Sequence, residues 1–319
     1  MTKILLTTTS FQDTPGEHHA MLEQQGYELH RERGPLPEDK MLELVGDYDG
    51  ILCGDDAFTR AVLQKCLPRL KVLSKYGIGL DKIDVLAATD LKIPVTFCPG
   101  VNHTTVAEHA FGLILALYRQ IAEQNALVHQ GQWKRMTGHE IFGKTIGILG
   151  MGRIGKEVAK RARAFEARVL GFDPYWDDDF AEEYQVTRKQ TAEEVMKEAD
   201  ILALHMNLSE ENKKFLDDDR LALLKEGAIV INTSRGALVD QDAIARAIES
   251  GKLAGYGADV VEPEPIKADN PLIGLERVVL TPHIGSRTYE SVGRQAKMAA
   301  ENLIRVLNGE PAVAQANSF

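Results

Sequence analysis

Three polar side chains each follow an apolar stretch whose composition predicts a buried strand. Arg235 follows AIVINTS, Glu264 follows GYGADVVEP and His283 follows VVLTP. A guanidinium can clamp a carboxylate and polarise the neighbouring carbonyl, and a histidine beside a carboxylate can give and take a hydroxyl proton. Singly, each residue has a plainer interpretation, as a surface ion pair, a satisfied loop histidine or a solvated charge. Their occurrence together with the glycine motif described next favours an active site for hydride and proton transfer.

The glycine motif lies between a predicted strand and a predicted helix. Gly150, Gly152 and Gly155 follow TIGIL and open RIGKEVAKRARAF. In that context the first glycine permits a tight turn, the second lets the backbone approach a pyrophosphate, and the third lets helix and strand pack closely. The helix N-terminus offers N–H groups and a positive dipole to phosphates, and Arg153 can add charge there. The motif predicts a dinucleotide site.

The carboxylate that follows the next strand predicts which dinucleotide is bound. RVLGFD ends at Asp173, 18 residues after Gly155. A carboxylate there can accept both ribose hydroxyls of NAD and repels the 2′-phosphate of NADP. The next residues, PYW, include no arginine to receive a phosphate. We therefore predict NAD, the alternative being a structural glycine turn beside a surface aspartate.

The other histidines are weaker candidates for the proton-transfer role. His103 and His109 belong to a predicted long helix, and His129 and His139 to the segment after it. His205 ends the apolar stretch ADILALH, where we expect contacts on the adenine side of the cofactor.

Composition and charge exclude several classes of protein. The chain has 319 residues, which is enough for two domains. Hydrophobic residues make up 44% of the sequence, and 37 basic and 47 acidic residues give a net charge of −10. This balance disfavours nucleic acids and anionic membranes as partners. Cys53, Cys66 and Cys98 lack the spacing of a zinc site or a disulfide framework, so we expect no metal. MTKILLTTTS resembles a first strand more than a signal peptide, and no apolar run could span a membrane, so we expect a cytoplasmic protein.

The elements that must position these residues follow an alternating pattern. Short apolar runs alternate with helical patterns over the first hundred residues and again from residue 145 to about 286. Such alternation predicts an α/β fold with parallel sheets that carry helices on both faces. The pattern of residues 102–120 predicts a long buried helix, where the chain first crosses from one domain to the other. The last stretch, TYESVGRQAKMAAENLIRVLNGE, predicts a final amphipathic helix.

The chain resembles the D-isomer-specific 2-hydroxyacid dehydrogenase family, close to its phosphoglycerate dehydrogenase-like branch. The stretches that carry the resemblance are YGIGLDKID (76–84), NHTTVAEHAFGLILAL (102–117), GKTIGILGMGRIG (143–155), GFDP (171–174), LKEGAIVINTSRGALVD (224–240), GADVVEPEP (257–265) and TPHIGSRT (281–288). The family's catalytic arginine matches Arg235, its histidine matches His283, and its glutamate, five residues after Asp259, matches Glu264. Glu262, the other glutamate of the Glu-Pro-Glu-Pro run, is then a solvated or structural residue.

The resemblance also implies a layout. Residues 1–100 and 287–319 form a flavodoxin-like substrate domain, residues 101–286 form a Rossmann domain, and the active site lies between them. A homodimer forms through the segment near residues 119–142. Substrate contacts fall on Lys75, Tyr76 and Gly77, with Ile78 close to the cofactor. Further cofactor contacts are expected at Ile154, His205, Met206, Thr233, Ser234, Asp259 and Gly285.

The expected reaction interconverts a small 2-oxo acid and its D-2-hydroxy acid. The chain departs from the family at Asn207, where a proline is usual, and near the third strand, where Asp55 and Asp56 replace an arginine often found in phosphoglycerate enzymes. The extra C-terminal regulatory domain of the longer phosphoglycerate enzymes is also missing from this sequence. Asn207 bears on the packing of the adenine, whereas the two acids and the missing domain disfavour 3-phosphoglycerate, although Lys75 and Arg287 leave that substrate open. Oxidation of formate or phosphite on the same fold, or an NAD-sensing binding module, are the remaining alternatives.

Overall fold

The computed structural model describes all 319 residues. The strands are β1 (Lys3–Leu6), β2 (Glu28–Arg31), β3 (Gly50–Cys53), β4 (Val72–Lys75), β5 (Val95–Thr96), β6 (Thr145–Leu149), β7 (Arg168–Phe172), β8 (Val186–Arg188), β9 (Ile201–Leu204), β10 (Ala228–Asn232), β11 (Leu253–Ala258) and β12 (Val278–Leu280). The helices are α1 (Thr9–Asp13), α2 (Glu17–Glu23), α3 (Glu38–Leu44), α4 (Arg60–Lys65), α5 (Val85–Asp90), α6 (His103–Tyr118), α7 (Ile121–His129), α8 (Arg153–Ala164), α9 (Asp178–Glu183), α10 (Ala192–Glu198), α11 (Asp218–Leu223), α12 (Gln241–Glu249) and α13 (Tyr289–Leu307).

The chain divides into two compact units. Met1–Asn102 and Arg287–Phe319 form the first unit, and His103–Ser286 forms the second. Each unit is built on one parallel sheet, so the predicted α/β class with two parallel-sheet domains is confirmed.

The first unit has a five-stranded sheet in the order β2-β1-β3-β4-β5, which is the flavodoxin-like order. The final helix, α13, returns to this sheet and covers it with small side chains. Ala296, Ala299 and Ala300 pack in one buried cluster with apolar residues of β1, β3 and β4. The Ser74 hydroxyl of β4 donates to the Ala299 carbonyl at 2.8 Å. The two separate segments of this unit thus share one core.

The second unit has a seven-stranded parallel sheet in the order β12-β11-β10-β9-β6-β7-β8. The strand order reverses at β6, whose neighbours are β7 and β9, and ligands bind beyond the strand ends at such a switch point. Successive side chains of β10 point to opposite faces of the sheet and join two different buried clusters. Ile229 and Ile231 face the cluster that contains α6 and α8, whereas Val230 faces the cluster that contains α11 and α12. Helices therefore cover both faces, as predicted.

The long helix predicted over residues 102–120 is α6, which runs from His103 to Tyr118. Most of its residues are buried, because it packs between α8 and the face of the sheet near β10 and β11. It ends before Gln120, which adopts a left-handed backbone with φ of +51°. The next helix, α7, has no buried residue.

Candidate active site

Two glycines of the turn between β6 and α8 have no room for a side chain. Gly150 has φ of +95°, and a Cβ there would lie 2.5 Å from the carbonyl carbon of His205 and from the amide nitrogen of Met206. A Cβ on Gly155 would lie 2.0 Å from the Gly150 carbonyl oxygen. Only glycine permits this contact between turn, helix and the end of β9. The spacing rule that predicted the turn therefore has a steric basis in this chain.

The middle glycine of the turn is different, since it has open space in front of it. A Cβ on Gly152 would meet no atom within 4 Å. Gly152 is the N-cap of α8 and offers no side-chain cap, and Arg153 and Ile154 form the first turn. The N–H groups of a first helical turn have no intrahelical acceptor and favour anions. This surface fits the pyrophosphate of a dinucleotide.

Unpartnered buried polar atoms lie at the ends of β9 and β10, two neighbouring strands on one side of β6. Both ring nitrogens of His205, after β9, and the Thr233 hydroxyl, after β10, are buried without a hydrogen-bond partner. Such groups are normally satisfied. Burial lowers the pKa of His205 to about 4, so its ring is neutral at neutral pH. Next to them, the Ser234 hydroxyl donates to the Met206 carbonyl at 2.5 Å. The unpartnered atoms of His205 and Thr233 could form hydrogen bonds with the polar groups of a bound cofactor.

Asp173 is held in place at the end of β7, where the ribose is expected. Its carboxylate accepts the Met151 N–H and the Tyr175 N–H, each at 2.7 Å. The sheet also brings an arginine that the linear sequence does not predict. Arg188 pairs in register with Gly171, two residues before Asp173, and its guanidinium lies 5.6 Å from the centre of the Trp176 ring.

The loop that carries Arg235 is closed by Asn232, the last residue of β10. The Asn232 amide donates to the Arg235 carbonyl at 2.9 Å and accepts the Ser234 N–H at 3.0 Å. The Arg235 guanidinium donates to the Ser234 carbonyl at 2.7 Å. A Cβ on Gly236 would lie 2.1 Å from the carbonyl carbon of Val261. The Arg235 loop therefore packs directly against the loop that leads to Glu264.

Glu264 and His283 are in direct contact. The His283 Nδ1 and the Glu264 Oε2 are 2.8 Å apart, and both side chains are partly exposed. An ionised carboxylate can only accept, so the His283 Nδ1–H is the donor in this contact. The other Glu264 oxygen accepts the Val261 N–H at 3.3 Å. The structure thus places the predicted glutamate and histidine together.

Glu262 has a different environment, although it lies only two residues from Glu264. Its carboxylate is exposed to solvent. Its main chain pairs with the Gln241 side chain, whose Nε2 donates to the Glu262 carbonyl at 2.5 Å and whose Oε1 accepts the Glu262 N–H at 3.5 Å. Glu262 therefore contributes its backbone to the loop.

Asp259, at the end of β11, binds three successive backbone amides. Its carbonyl accepts the His283 N–H at 2.8 Å, and its two carboxylate oxygens accept the Ile284 N–H at 2.9 Å and the Gly285 N–H at 2.7 Å. His283 has φ of +52°, in the left-handed region that is uncommon for residues other than glycine. A Cβ on Gly285 would lie 2.8 Å from the Asp259 carboxylate. Asp259 therefore fixes the backbone of the histidine, whereas Glu264 fixes its ring.

Two neighbours of Asp259 could not be predicted from the sequence. The Thr281 hydroxyl donates to the Asp259 carboxylate at 2.6 Å, and the His109 Nε2 of α6 lies 2.8 Å from that hydroxyl. Burial opposes ionisation of Asp259, but hydrogen bonds from His109, Thr281 and the two amides outweigh it and hold its pKa below the usual value. The only sign of His109 in the sequence is its position within a helical stretch that is mostly apolar.

The residues predicted to contact substrate follow β4 in the first unit. Lys75 ends that strand, and its buried ammonium donates to the Asp55 carboxylate at 2.6 Å and to the Gly54 carbonyl at 2.7 Å. Tyr76, Gly77 and Ile78 come next, and Gly77 has φ of +120°. The loop therefore leaves β4 through a backbone conformation that favours glycine.

The two adjacent acids of the first unit have different environments. Asp56 is fully buried, where it binds the Thr7 hydroxyl and accepts the Leu36 N–H at 2.9 Å and the Gly54 N–H at 3.1 Å. Asp55 is exposed and forms the ion pair with Lys75. Asp56 thus holds the loop after β3, and only Asp55 presents its charge at the surface.

Two general features bear on the kind of site. No group of three or more His, Cys, Asp or Glu side chains is arranged to hold a metal ion. No helix combines the length and apolar character needed to cross a bilayer.

Comparison with known proteins gives matches over both units. The family model described as D-isomer specific 2-hydroxyacid dehydrogenase, NAD binding domain, matches residues 111–285. A glyoxylate reductase of Korarchaeum cryptofilum is 39% identical over 289 residues, or 89% of this chain and 87% of that protein. A D-3-phosphoglycerate dehydrogenase of Methanocaldococcus jannaschii is 38% identical over 97% of this chain, which spans only 58% of that protein. The crystal structure of the TT0316 protein from Thermus thermophilus has a TM-score of 0.88 and 36% identity, and the match covers 99% of this chain and 100% of that chain.

Proposed function

The chain belongs to the D-isomer specific 2-hydroxyacid dehydrogenase family, and we propose that it reduces a small, unphosphorylated 2-oxo acid to the D-2-hydroxy acid. It is an NAD-dependent oxidoreductase. The observation that carries the proposed reaction is the 2.8 Å contact between Glu264 and His283, in the same unit as the Arg235 loop and the glycine turn. The relative from Korarchaeum cryptofilum, named a glyoxylate reductase, makes glyoxylate the first substrate to test.

The cofactor is proposed to lie along the carboxyl ends of β6, β7, β9 and β10. The first turn of α8 would hold its pyrophosphate, Asp173 its adenine-side ribose hydroxyls, and His205 and Thr233 its remaining polar groups. When bound as NADH, the cofactor supplies the hydride that reduces the carbonyl carbon. The Asp173 carboxylate is already oriented by two backbone amides, so it favours NADH over NADPH.

Arg235 is proposed to bind the substrate carboxylate and to polarise the carbonyl oxygen. A guanidinium presents its donors in a planar fork that matches a carboxylate. The loop is closed by Asn232 and packed against Val261, which holds the Arg235 backbone in place. Preorganised donors stabilise the negative charge that develops on the oxygen during reduction.

His283 is proposed to supply the proton. In the reduction, its Nε2–H donates to the oxygen that becomes the hydroxyl, and in the reverse reaction Nε2 takes that proton back. Glu264 accepts Nδ1–H, which fixes the orientation of the ring and stabilises its protonated form. One hydride and one proton are thus added, and the 2-oxo acid becomes a 2-hydroxy acid.

The first unit is proposed to bind the rest of the substrate through Lys75, Tyr76 and Gly77, with Ile78 near the cofactor. Two cations, Lys75 near this loop and Arg287 at the boundary of the unit, are already paired with acids. Lys75 contacts Asp55 at 2.6 Å, and Arg287 lies 3.6 Å from Asp13. Neither is an uncompensated charge for a phosphate group, which supports an unphosphorylated substrate.

The test is NADH oxidation, followed by absorbance, with glyoxylate, hydroxypyruvate, pyruvate and 3-phosphohydroxypyruvate, and with NADPH in parallel. We expect turnover of at least one unphosphorylated acid, with NADH strongly preferred and the D-hydroxy acid as product. Turnover of 3-phosphohydroxypyruvate alone would replace the proposal with the phosphoglycerate reaction. NAD⁺ reduction by formate or phosphite alone would assign that oxidation. NADH binding without any turnover would favour a sensing module.

A homodimer is proposed through the segment near residues 119–142. The helix α7 buries none of its side chains within the chain, and Val128, Trp133 and Phe142 leave 51%, 82% and 64% of their surface exposed. Large apolar side chains exposed in one segment mark an interaction surface. A second copy of this segment would cover them.

Replacing Trp133 with glutamate is expected to shift the protein from dimer to monomer, because a charge would be buried at the interface without a partner. Analytical ultracentrifugation at micromolar concentration would measure the shift. Leu86→Glu is the matched control, since Leu86 is 80% exposed on α5, outside the segment. A wild-type chain that sediments as a monomer, or a Trp133 variant that stays dimeric, would contradict the interface.

A further inference from the structure

His109 lies on α6, far along the chain from the proposed catalytic residues, yet it reaches the end of the sheet. Its Nε2 is 2.8 Å from the Thr281 hydroxyl and 3.4 Å from the nearer oxygen of Asp259. The side chain is mostly buried, and Asp259 is 3% exposed. The histidine therefore meets a buried carboxylate and a hydroxyl at the point where β11 and β12 end.

The chemistry of these groups fixes the direction of the hydrogen bonds. The ionised Asp259 carboxylate can only accept, so the Thr281 hydroxyl gives its hydrogen to Asp259 at 2.6 Å. The Thr281 oxygen is then the acceptor for His109, whose Nε2 must carry a hydrogen. The result is a directed chain from His109 through Thr281 to Asp259.

Asp259 passes this constraint to the proposed proton donor. It binds the N–H groups of His283, Ile284 and Gly285 in succession. His283 has a left-handed backbone, which costs free energy and persists only because its surroundings hold it. Any rotation of the Asp259 carboxylate would release the amides of Ile284 and Gly285 and loosen the segment that aims the His283 ring.

We infer that His109 is a positioning residue, which orients Thr281 and Asp259 and through them keeps His283 aimed at the substrate oxygen. This inference rests on the proposed function of His283. Hydrogen bonding to the ionised carboxylate also keeps Asp259 charged despite its burial, in line with its lowered pKa. The neighbouring Glu108 does not compete for this role, because it pairs with Arg161 of α8 at 3.1 Å.

The competing explanation is that His109 serves only in packing. Two substitutions distinguish that explanation from a positioning role. His109→Leu fills similar space but removes the donor, whereas His109→Gln keeps an amide donor at similar reach. If positioning is correct, His109→Leu lowers kcat by roughly tenfold to a hundredfold, the range that a small misplacement of a catalytic group produces. His109→Gln should recover most of that loss, and the loss of kcat in His109→Leu should persist at saturating NADH, because Asp259 and Gly285 are also expected cofactor contacts.

The experiment measures kcat, KM and NADH affinity for both variants, with His30→Gln as the control. His30 pairs with the surface residue Glu28 in the first unit, so its substitution should leave every constant unchanged. A His109→Leu enzyme with kcat within about twofold of wild type would overturn the inference. Equal losses in the leucine and glutamine variants, or a loss that appears only in NADH affinity, would overturn it as well.

A second readout keeps the inference separate from the proposed function. The Nδ1 proton of His283, bonded to Glu264, should give a downfield proton resonance, which His283→Asn identifies by removing it. We expect that resonance to shift or broaden in His109→Leu and to persist in His109→Gln. If wild type reduces no 2-oxo acid, the proposed function fails, and the resonance still decides the inference. An unchanged resonance in His109→Leu would overturn it.

Discussion

Replacement of His283 with asparagine is expected to lower kcat by roughly 10³-fold, which is within the range for loss of a general acid. The hydride would still be available, but the developing alkoxide would lack its proton donor. Asparagine is the better substitution here because His283 has φ of +52°, and asparagine adopts the left-handed region more readily than alanine. The hydrogen bond from the main-chain N–H of residue 283 to the Asp259 carbonyl can therefore persist in the variant.

The measurement is steady-state and single-turnover NADH oxidation with the best substrate, together with NADH binding by fluorescence. NADH affinity should stay within about threefold of wild type, because the ring is assigned to proton transfer and not to cofactor binding. A kcat that remains near wild type in a folded His283→Asn enzyme would remove His283 from the mechanism.

The two glutamates of the Glu-Pro-Glu-Pro run provide a matched pair of controls. Glu264→Gln keeps a side-chain oxygen for the His283 Nδ1–H but removes the charge, so we expect a smaller loss than for His283→Asn. Glu262→Gln should have no effect on kcat, because Glu262 pairs with Gln241 only through its main chain. Equal effects of the two substitutions would contradict the assignment of Glu264.

The grouping of the proposed catalytic residues could be predicted from the sequence because it depends on strand ends. Arg235, Glu264 and His283 follow three consecutive strands, β10, β11 and β12, and these strands are neighbours in the sheet. Carboxyl ends of neighbouring parallel strands lie at the same edge. The glycine turn was equally predictable, since its spacing reflects the absence of space for a Cβ at Gly150 and Gly155.

The contacts that the sequence did not predict come from elements that are distant in the chain or from loop geometry. The apolar pattern of α6 shows that its face is buried, but not that His109 meets Asp259, 150 residues later. The adjacent Asp55 and Asp56 look alike in sequence, yet one is exposed and one is fully buried. Which way each side chain points depends on the backbone path after β3, and residue type alone does not specify that path.

Replacement of Arg235 with alanine is expected to lower kcat/KM by roughly 10³-fold, with KM raised and kcat lowered together. The guanidinium is assigned to the substrate carboxylate, which is present before the reaction, and to the carbonyl oxygen, whose charge grows during it. Loss of the first contact weakens binding and loss of the second slows chemistry. The fold should persist, because Asn232 holds the loop through the Arg235 carbonyl and the Ser234 amide.

Arg235→Lys and added guanidinium distinguish this role from a general need for positive charge. Lysine keeps the charge but has no planar fork, so we expect it to recover little of the lost kcat/KM. Guanidinium or methylguanidinium ions at millimolar concentration should partly restore turnover in Arg235→Ala, since they can occupy the space of the missing group. Full activity of the lysine variant would show that charge alone is sufficient. A raised KM with unchanged kcat would confine Arg235 to binding and leave polarisation of the carbonyl to His283 alone.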